Sequence, residues 1–242
     1  MENRDINHSF YMGVEIMKWL NKLFKNKNKD LYSSALEMIE GTNITSLRKK
    51  TKILLVDDES DDIYQVLKER QYDVYYKNDM TYAIEAEPFE IVIMDIRGVA
   101  QRLQSSMEGF TLACDVKKKY PLKKVCCYSG TTNAEITNQL TDKKIDSFFV
   151  KDVDIDKICQ KIDQLILDYA DYNKQWDILY KEFLYNKISE KDIEKIKQAY
   201  YDGFEQGNLI PLNEIIIGTI KNSTVMLNIT SSILTLIKVL AV

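Results

Sequence analysis

Between Lys52 and Lys151 the chain carries short apolar runs that each end in a polar group. Ile53-Leu54-Leu55-Val56 is followed by Asp57, Asp58 and Glu59. Ile91-Val92-Ile93-Met94 is followed by Asp95. Val125-Cys126-Cys127-Tyr128 leads to Ser129, and Phe148-Phe149-Val150 leads to Lys151. Charge-free runs of this length read as strands buried on both faces, which is the pattern of a parallel sheet. In an open parallel α/β sheet, ligands sit at the carboxyl ends of the strands. Acids, a hydroxyl and a lysine delivered to that edge describe a site for a divalent cation and a phosphoryl group.

The segments between the runs fit the same scheme. Ser60, Asp61 or Asp62 caps a helix running to about Arg70. Val74 to Tyr76 is a weaker strand. Thr81 to Glu87 reads as a short helix ended by Pro88. A long connection, Ile96 to Glu108, precedes a helix from Gly109 to Tyr120, and Thr131 to Thr141 is a further helix before the last strand, Ser147 to Val150. The expected fold class is α/β, a doubly wound five-stranded parallel sheet followed by an all-α C-terminal region.

The expected divisions are a basic helical extension over 1–50, the α/β domain over 51–170 and a helical output or assembly region over 171–242. In the extension, Val14 to Lys25 reads as an amphipathic helix with Trp19 near its boundary, suited to packing on a partner or on an anionic membrane surface. A basic linker, Lys25 to Lys29, follows. Leu31 to Glu40 reads as a second helix stopped by Gly41, and Arg48-Lys49-Lys50 leads into the first strand. After Lys151 an apolar stripe continues from Ile155 to Phe183 without Gly or Pro, so one helix is expected from Asp154 to about Tyr185. Ser189 with Asp192 marks the start of the next helix, which stops near Gly207. The segment 214–242 is dense in Ile, Leu and Val. As one helix it would be about 40 Å long, enough to span a bilayer, while its Asn, Ser and Thr stripe equally suits packing in a dimer or bundle. Its many β-branched residues leave a β-rich packing open.

Composition narrows the function. The net charge is -4 over 242 residues, which disfavours a general grip on nucleic acid. The tail shows no helix-turn-helix with a basic recognition helix. Cys114, Cys126, Cys127 and Cys159 form no CxxC pair, and His8 is the one histidine, so a zinc site and an internal phosphohistidine relay are both disfavoured. Cysteines inside apolar patterns suit a reducing cytosol, and Met1 to Phe10 lacks an apolar signal region; the expected location is cytoplasmic, with membrane association left open.

Residues from about Thr51 to Ala170 resemble the receiver domain of bacterial two-component response regulators, which is flavodoxin-like. The resemblance rests on the acidic pair Asp57-Asp58, on Asp95, on Ser129 and on Lys151, in that order, and covers about half the chain. It implies that Asp57, Asp58, Asp95 and the backbone carbonyl of Arg97 bind Mg²⁺, and that Asp95 accepts a phosphoryl group from a histidine kinase or phosphotransfer protein. It further implies that Ser129 and Lys151 bind the phosphoryl, and that Phe148 turns inward as the switch at the fourth-strand surface. Such a chain catalyses only its own phosphorylation and dephosphorylation. A homodimer, or a protein or membrane partner held through 214–242, would carry the response.

The chain departs from that pattern in two places. Lys151 is followed by Asp152 instead of Pro, and the loop after Asp95 is long, lacks the common Pro and carries Arg97, Arg102 and Glu108. Two other readings stand beside the first. A degenerate receiver would act as a phosphorylation-independent dimerisation scaffold. A haloacid-dehalogenase-like phosphatase would need Asp-x-Asp after the first strand, where Asp57-Asp58-Glu59 stands, and a late acidic pair that Asp152 and Asp154 imitate.

Overall fold

The computed structural model describes residues 43–59, 62–103, 107–130, 145–151, 154–206, 208 and 210–240. The expected helices at 14–25, 31–40 and 131–141 lie outside the described residues. The chain divides into two compact units. One comprises the described parts of Thr42–Leu179 with Ser232–Val239, and the other includes Tyr180–Ser231.

In the first unit, α1 (Ile44–Lys50), β1 (Lys52–Val56), α2 (Asp62–Glu69), β2 (Asp73–Lys77), β3 (Ile91–Asp95), α3 (Glu108–Lys119), β4 (Lys124–Ser129), β5 (Ser147–Val150) and α4 (Ile155–Ala170) follow one another. The strands form one five-stranded sheet in the order β2-β1-β3-β4-β5, and every pairing is parallel. That order is the flavodoxin-like doubly wound arrangement, with its reversal between β1 and β3. The central strands are buried almost throughout, which explains the apolar runs beside their charged end residues Lys52, Asp95 and Lys124.

The strands alternate faces with a period of two. Leu54, Val56, Val92, Met94, Val125 and Cys127 join one core cluster with Phe110, Leu112, Ala113 and Val116 of α3. Ile53, Leu55, Ile93, Cys126 and Phe149 occupy the other face. α1 and α4 pack together. Arg48 grips Asp163 through two hydrogen bonds of 2.8 and 2.5 Å, lies 4.6 Å over the Tyr72 ring, and Tyr72 donates to the same carboxylate at 2.8 Å.

Arg48 to Lys50 lead into β1 as expected, and they end a helix started by Asn43, whose side chain accepts from the Thr45 N–H. Other sequence expectations are corrected. The segment near Ala83 is a 3₁₀ turn, Ala83–Ala86. The long helix expected to run to Tyr185 is two helices, α4 and α5 (Tyr172–Tyr185). Asp171 breaks it by accepting from the N–H groups of Asn173 and Lys174 at 3.0 and 3.2 Å, which caps the start of the second helix.

Beyond α5 come α6 (Glu190–Gln206), α7 (Ile210–Thr219) and α8 (Ser223–Leu240). Ser189 caps α6 by accepting from the Asp192 N–H at 3.2 Å. The α6 stripe of Ile193, Ile196, Tyr200 and Phe204 is buried, and α6 and α7 pack against each other. Pro211 stands in the first turn of α7, where its missing N–H costs nothing. The single helix expected over 214–242 is broken at Ile220 to Asn222. Asn222 caps α8 by accepting from Thr224 and Val225 at 3.1 and 3.2 Å. α8 has 18 residues, about 27 Å at the usual helical rise. Among the described residues no helix is long and apolar enough to cross a membrane.

Candidate functional site

The sheet ladder continues one residue past each of the strands that matter. Asp57 N–H donates to the Lys77 carbonyl at 3.1 Å, Ile96 N–H to the Tyr128 carbonyl at 3.2 Å, and Lys151 N–H to the Ser129 carbonyl at 2.9 Å. Asp57, Asp95 and Lys151 are therefore held by backbone at the carboxyl edge. Asp57 continues the face of Ile53 and Leu55, Asp95 the face of Ile93, and Lys151 the face of Phe149, so the period-two alternation brings all three to one side.

There the side chains converge. Lys151 Nζ lies 2.5 Å from Asp95 Oδ2 and 3.2 and 3.3 Å from the two Asp57 oxygens, with Glu59 Oε2 at 3.6 Å. Asp57 and Asp95 are both buried, whereas Glu59 is exposed. Burial pushes the Asp95 carboxyl above its ordinary value; the Lys151 hydrogen bond and charge oppose that rise, and the Asp57 charge adds to it. For Lys151 burial alone would lower the ammonium, but Asp95 and Asp57 outweigh it and hold it above its ordinary value. Asp95 Oδ1 is the less engaged oxygen, with the Arg97 N–H at 3.4 Å.

Asp57, Glu59 and Asp95 each present a carboxylate oxygen, and these oxygens lie within 4.8 Å of one another. Oxygen-only donors of this kind suit Mg²⁺, and the Lys151 ammonium now supplies positive charge among them. The cluster differs from the expected ligand set in one member. Glu59 belongs to it, while the Asp58 carboxylate lies against Gly98, where an added Cβ would meet Asp58 oxygens at 2.1 and 2.2 Å.

Sequence reading missed Tyr128. It stands in register with Asp95, on the same face, and its hydroxyl donates a hydrogen bond to Asp57 Oδ2. Lys151 Nζ sits 4.8 Å over its ring. Ser129, the hydroxyl residue expected at the site, is buried and follows the opposite face, that of Cys127. Phe148 is partly buried and packs on the core cluster, and Lys161 donates to its carbonyl at 3.3 Å. Period-two alternation from Asp95 through the β3–β4 register is the signal that would have found Tyr128.

The part of the loop after Asp95 that is described up to Leu103 is anchored in the core and by hydrogen bonds. Val99 and Ala100 are buried in the core cluster. Asp79 Oδ1 accepts from the Met80 and Ala100 N–H groups at 2.7 and 2.6 Å. Ala100 takes φ +57 and Gly98 φ +78, the left-handed region that costs an alanine about 1–2 kcal/mol and a glycine almost nothing. Asp154, weighed above as a phosphatase acid, caps α4 instead by accepting from the Asp156 N–H at 2.9 Å; Asp152 lies outside the described residues.

No family model matches the chain, and no curated protein matches it. Solved structures do. A CheY-like receiver domain protein from Methanospirillum hungatei is 22% identical, over 49% of this chain and 95% of its own, with a TM-score of 0.41. The receiver domain of NtrX from Brucella abortus is 23% identical, over 47% of this chain and 97% of its own, with a TM-score of 0.40. A longer structure of NtrX from the same organism is 21% identical over 52% of this chain but only 29% of its own, with a TM-score of 0.44. These matches, to two receiver domains and to part of the longer NtrX, cover about half of this chain.

Proposed function

We propose that the sheet domain is a receiver in which Asp95 accepts a phosphoryl group in a Mg²⁺-dependent reaction, and that the helices after Asp171 carry the response to a protein partner. The observation that supports this reading best is Lys151 Nζ lying between Asp95 and Asp57 at the carboxyl edge, beside a three-carboxylate cluster. The donor is a phosphohistidine of a kinase or phosphotransfer protein. Asp95 Oδ1, the freer oxygen, attacks the phosphorus; the O–P bond of an acyl phosphate forms, the P–N bond breaks, and the leaving imidazole nitrogen takes up a proton. Asp57, Glu59 and Asp95 would hold the Mg²⁺, joined by Asp58 and the Arg97 carbonyl if the loop adjusts. When bound, the ion neutralises charge on the phosphoryl oxygens. Lys151 exchanges its carboxylate partner for a phosphoryl oxygen, the Ser129 hydroxyl turns from the Cys127 face to the phosphoryl, and Phe148 reports the change at the β4–β5 surface. The domain catalyses only its own phosphorylation and dephosphorylation.

Incubating the full chain with acetyl phosphate and Mg²⁺, followed by intact-mass measurement, tests this. One phosphoryl adduct is expected, absent with a chelator and absent in Asp95→Asn. No adduct in the wild type would overturn the phosphoacceptor and favour a phosphorylation-independent scaffold. Steady phosphate release without an adduct would favour a phosphatase, which the use of Asp154 as a helix cap does not support.

A further inference from the structure

We infer that Tyr128 controls the entry of a divalent cation at Asp57; this rests on the metal site proposed above. β3 lies between β4, which carries Tyr128, and β1, which leads to Asp57. Neighbouring strands are about 4.8 Å apart, so a β4 side chain that reaches Asp57 must cross over β3. The strand residue in register with Tyr128 is Asp95. The tyrosine ring therefore roofs the acceptor carboxylate, and Lys151 Nζ closes over the ring at 4.8 Å. Tyr128 itself is 1% exposed and Asp95 5%.

The hydrogen bonds at Asp57 make the roof a competitor. Asp57 Oδ1 accepts from the Glu59 N–H at 3.0 Å and faces Lys151 Nζ at 3.3 Å. Asp57 Oδ2 accepts from the Tyr128 hydroxyl and faces Lys151 Nζ at 3.2 Å. A carboxylate oxygen offers two lone-pair directions, so each oxygen already meets two donors. A cation needs one of those directions, and one donor has to leave. The Glu59 N–H belongs to the backbone, and Lys151 is retained by Asp95 at 2.5 Å. The Tyr128 hydroxyl is the donor that a side-chain rotation removes. Cation entry at Asp57 and uncovering of Asp95 are then one event, so the acceptor becomes accessible when the metal arrives.

The test is Mg²⁺ titration of the full chain by calorimetry, comparing wild type, Tyr128→Phe, Tyr128→Leu and Asp57→Asn, with circular dichroism to verify folding. Loss of a hydrogen bond to a charged acceptor predicts that Tyr128→Phe binds Mg²⁺ about tenfold or more tightly. Tyr128→Leu, which also removes the roof, binds at least as tightly as Tyr128→Phe. Equal or weaker binding in both variants overturns the inference. If the wild type binds Mg²⁺ and Asp57→Asn does not, the metal site itself stands in that case. If no protein of the set binds Mg²⁺, the metal site and the role of Tyr128 fall together.

Discussion

Gly109 lies so close to the Asp95 carbonyl oxygen that an added Cβ would sit 1.8 Å from it and 2.8 Å from Val99 Cγ2. The Gly109 N–H also donates to the Ile96 carbonyl at 3.1 Å. The first turn of α3 is thus built directly on the backbone at the end of β3.

Gly109→Ala forces α3 away from β3, because backbone, not a flexible side chain, is in the way. The expected cost is about 2–3 kcal/mol of overpacking, measured as a lower denaturation midpoint in urea. An unchanged midpoint would mean that the helix shifts freely.

Asp79 holds the loop after Asp95 by accepting from two N–H groups whose residues, Met80 and Ala100, are almost fully buried. Asp79→Ala leaves both donors without that carboxylate, at a cost of about 1–3 kcal/mol. Asp79→Asn keeps an acceptor and recovers most of the loss. Hydrogen exchange at the Ala100 amide, faster in the alanine variant only, is the direct measurement.

Glu90 gives a pH dependence. Burial pushes its carboxyl up to about 7 from 4.5, against the Lys52 N–H and the Lys123 charge. Between those values the folded chain holds a proton that the unfolded chain releases, so stability is full below about 4.5, declines as pH rises and levels off above about 7. Glu90→Gln removes this slope. At pH 8 it is expected to be more stable than the wild type by about 1–3 kcal/mol, with the gap closing at acid pH. Urea unfolding at several pH values reads it out.

Asp95 follows the same sign, since its carboxyl is raised chiefly by burial. Asp95→Asn takes a disfavoured buried charge out of the folded state at neutral pH, and a gain of about 0.5–2 kcal/mol is expected, typical of neutralising a functional site. A fall in the thermal midpoint would contradict it.

Lys151→Met acts in the opposite direction. It leaves Asp57 and Asp95 facing each other without their cation, a loss of about 3 kcal/mol or more. Added Mg²⁺ is expected to restore part of the midpoint in this variant, and none of it in the Lys151→Met, Asp57→Asn double variant.

The fold was largely legible, because charge-free apolar runs separated by helical segments leave few arrangements besides a parallel sheet. Asp57, Asp95 and Lys151 were found for the same reason: each directly ends or follows a run. Tyr128 escaped because an aromatic residue in a buried strand looks like core until its register with Asp95 is known. Glu59 escaped because direction at a strand end depends on the following turn, and the Glu59 N–H bends back to Asp57. The breaks at Asp171 and Asn222 were hidden by chemistry. A capping Asp or Asn sits where a solvent-facing helix residue would also be polar, and an apolar stripe survives a break this short.

The three hydrogen bonds that carry the ladder past β1, β3 and β5 are all made by main-chain atoms. Positions 57, 96 and 151 are therefore stitched in place by groups that every residue except proline possesses. Natural drift can rewrite the chemistry at the edge, trading one acid or hydroxyl for another, without dismantling the frame that presents it.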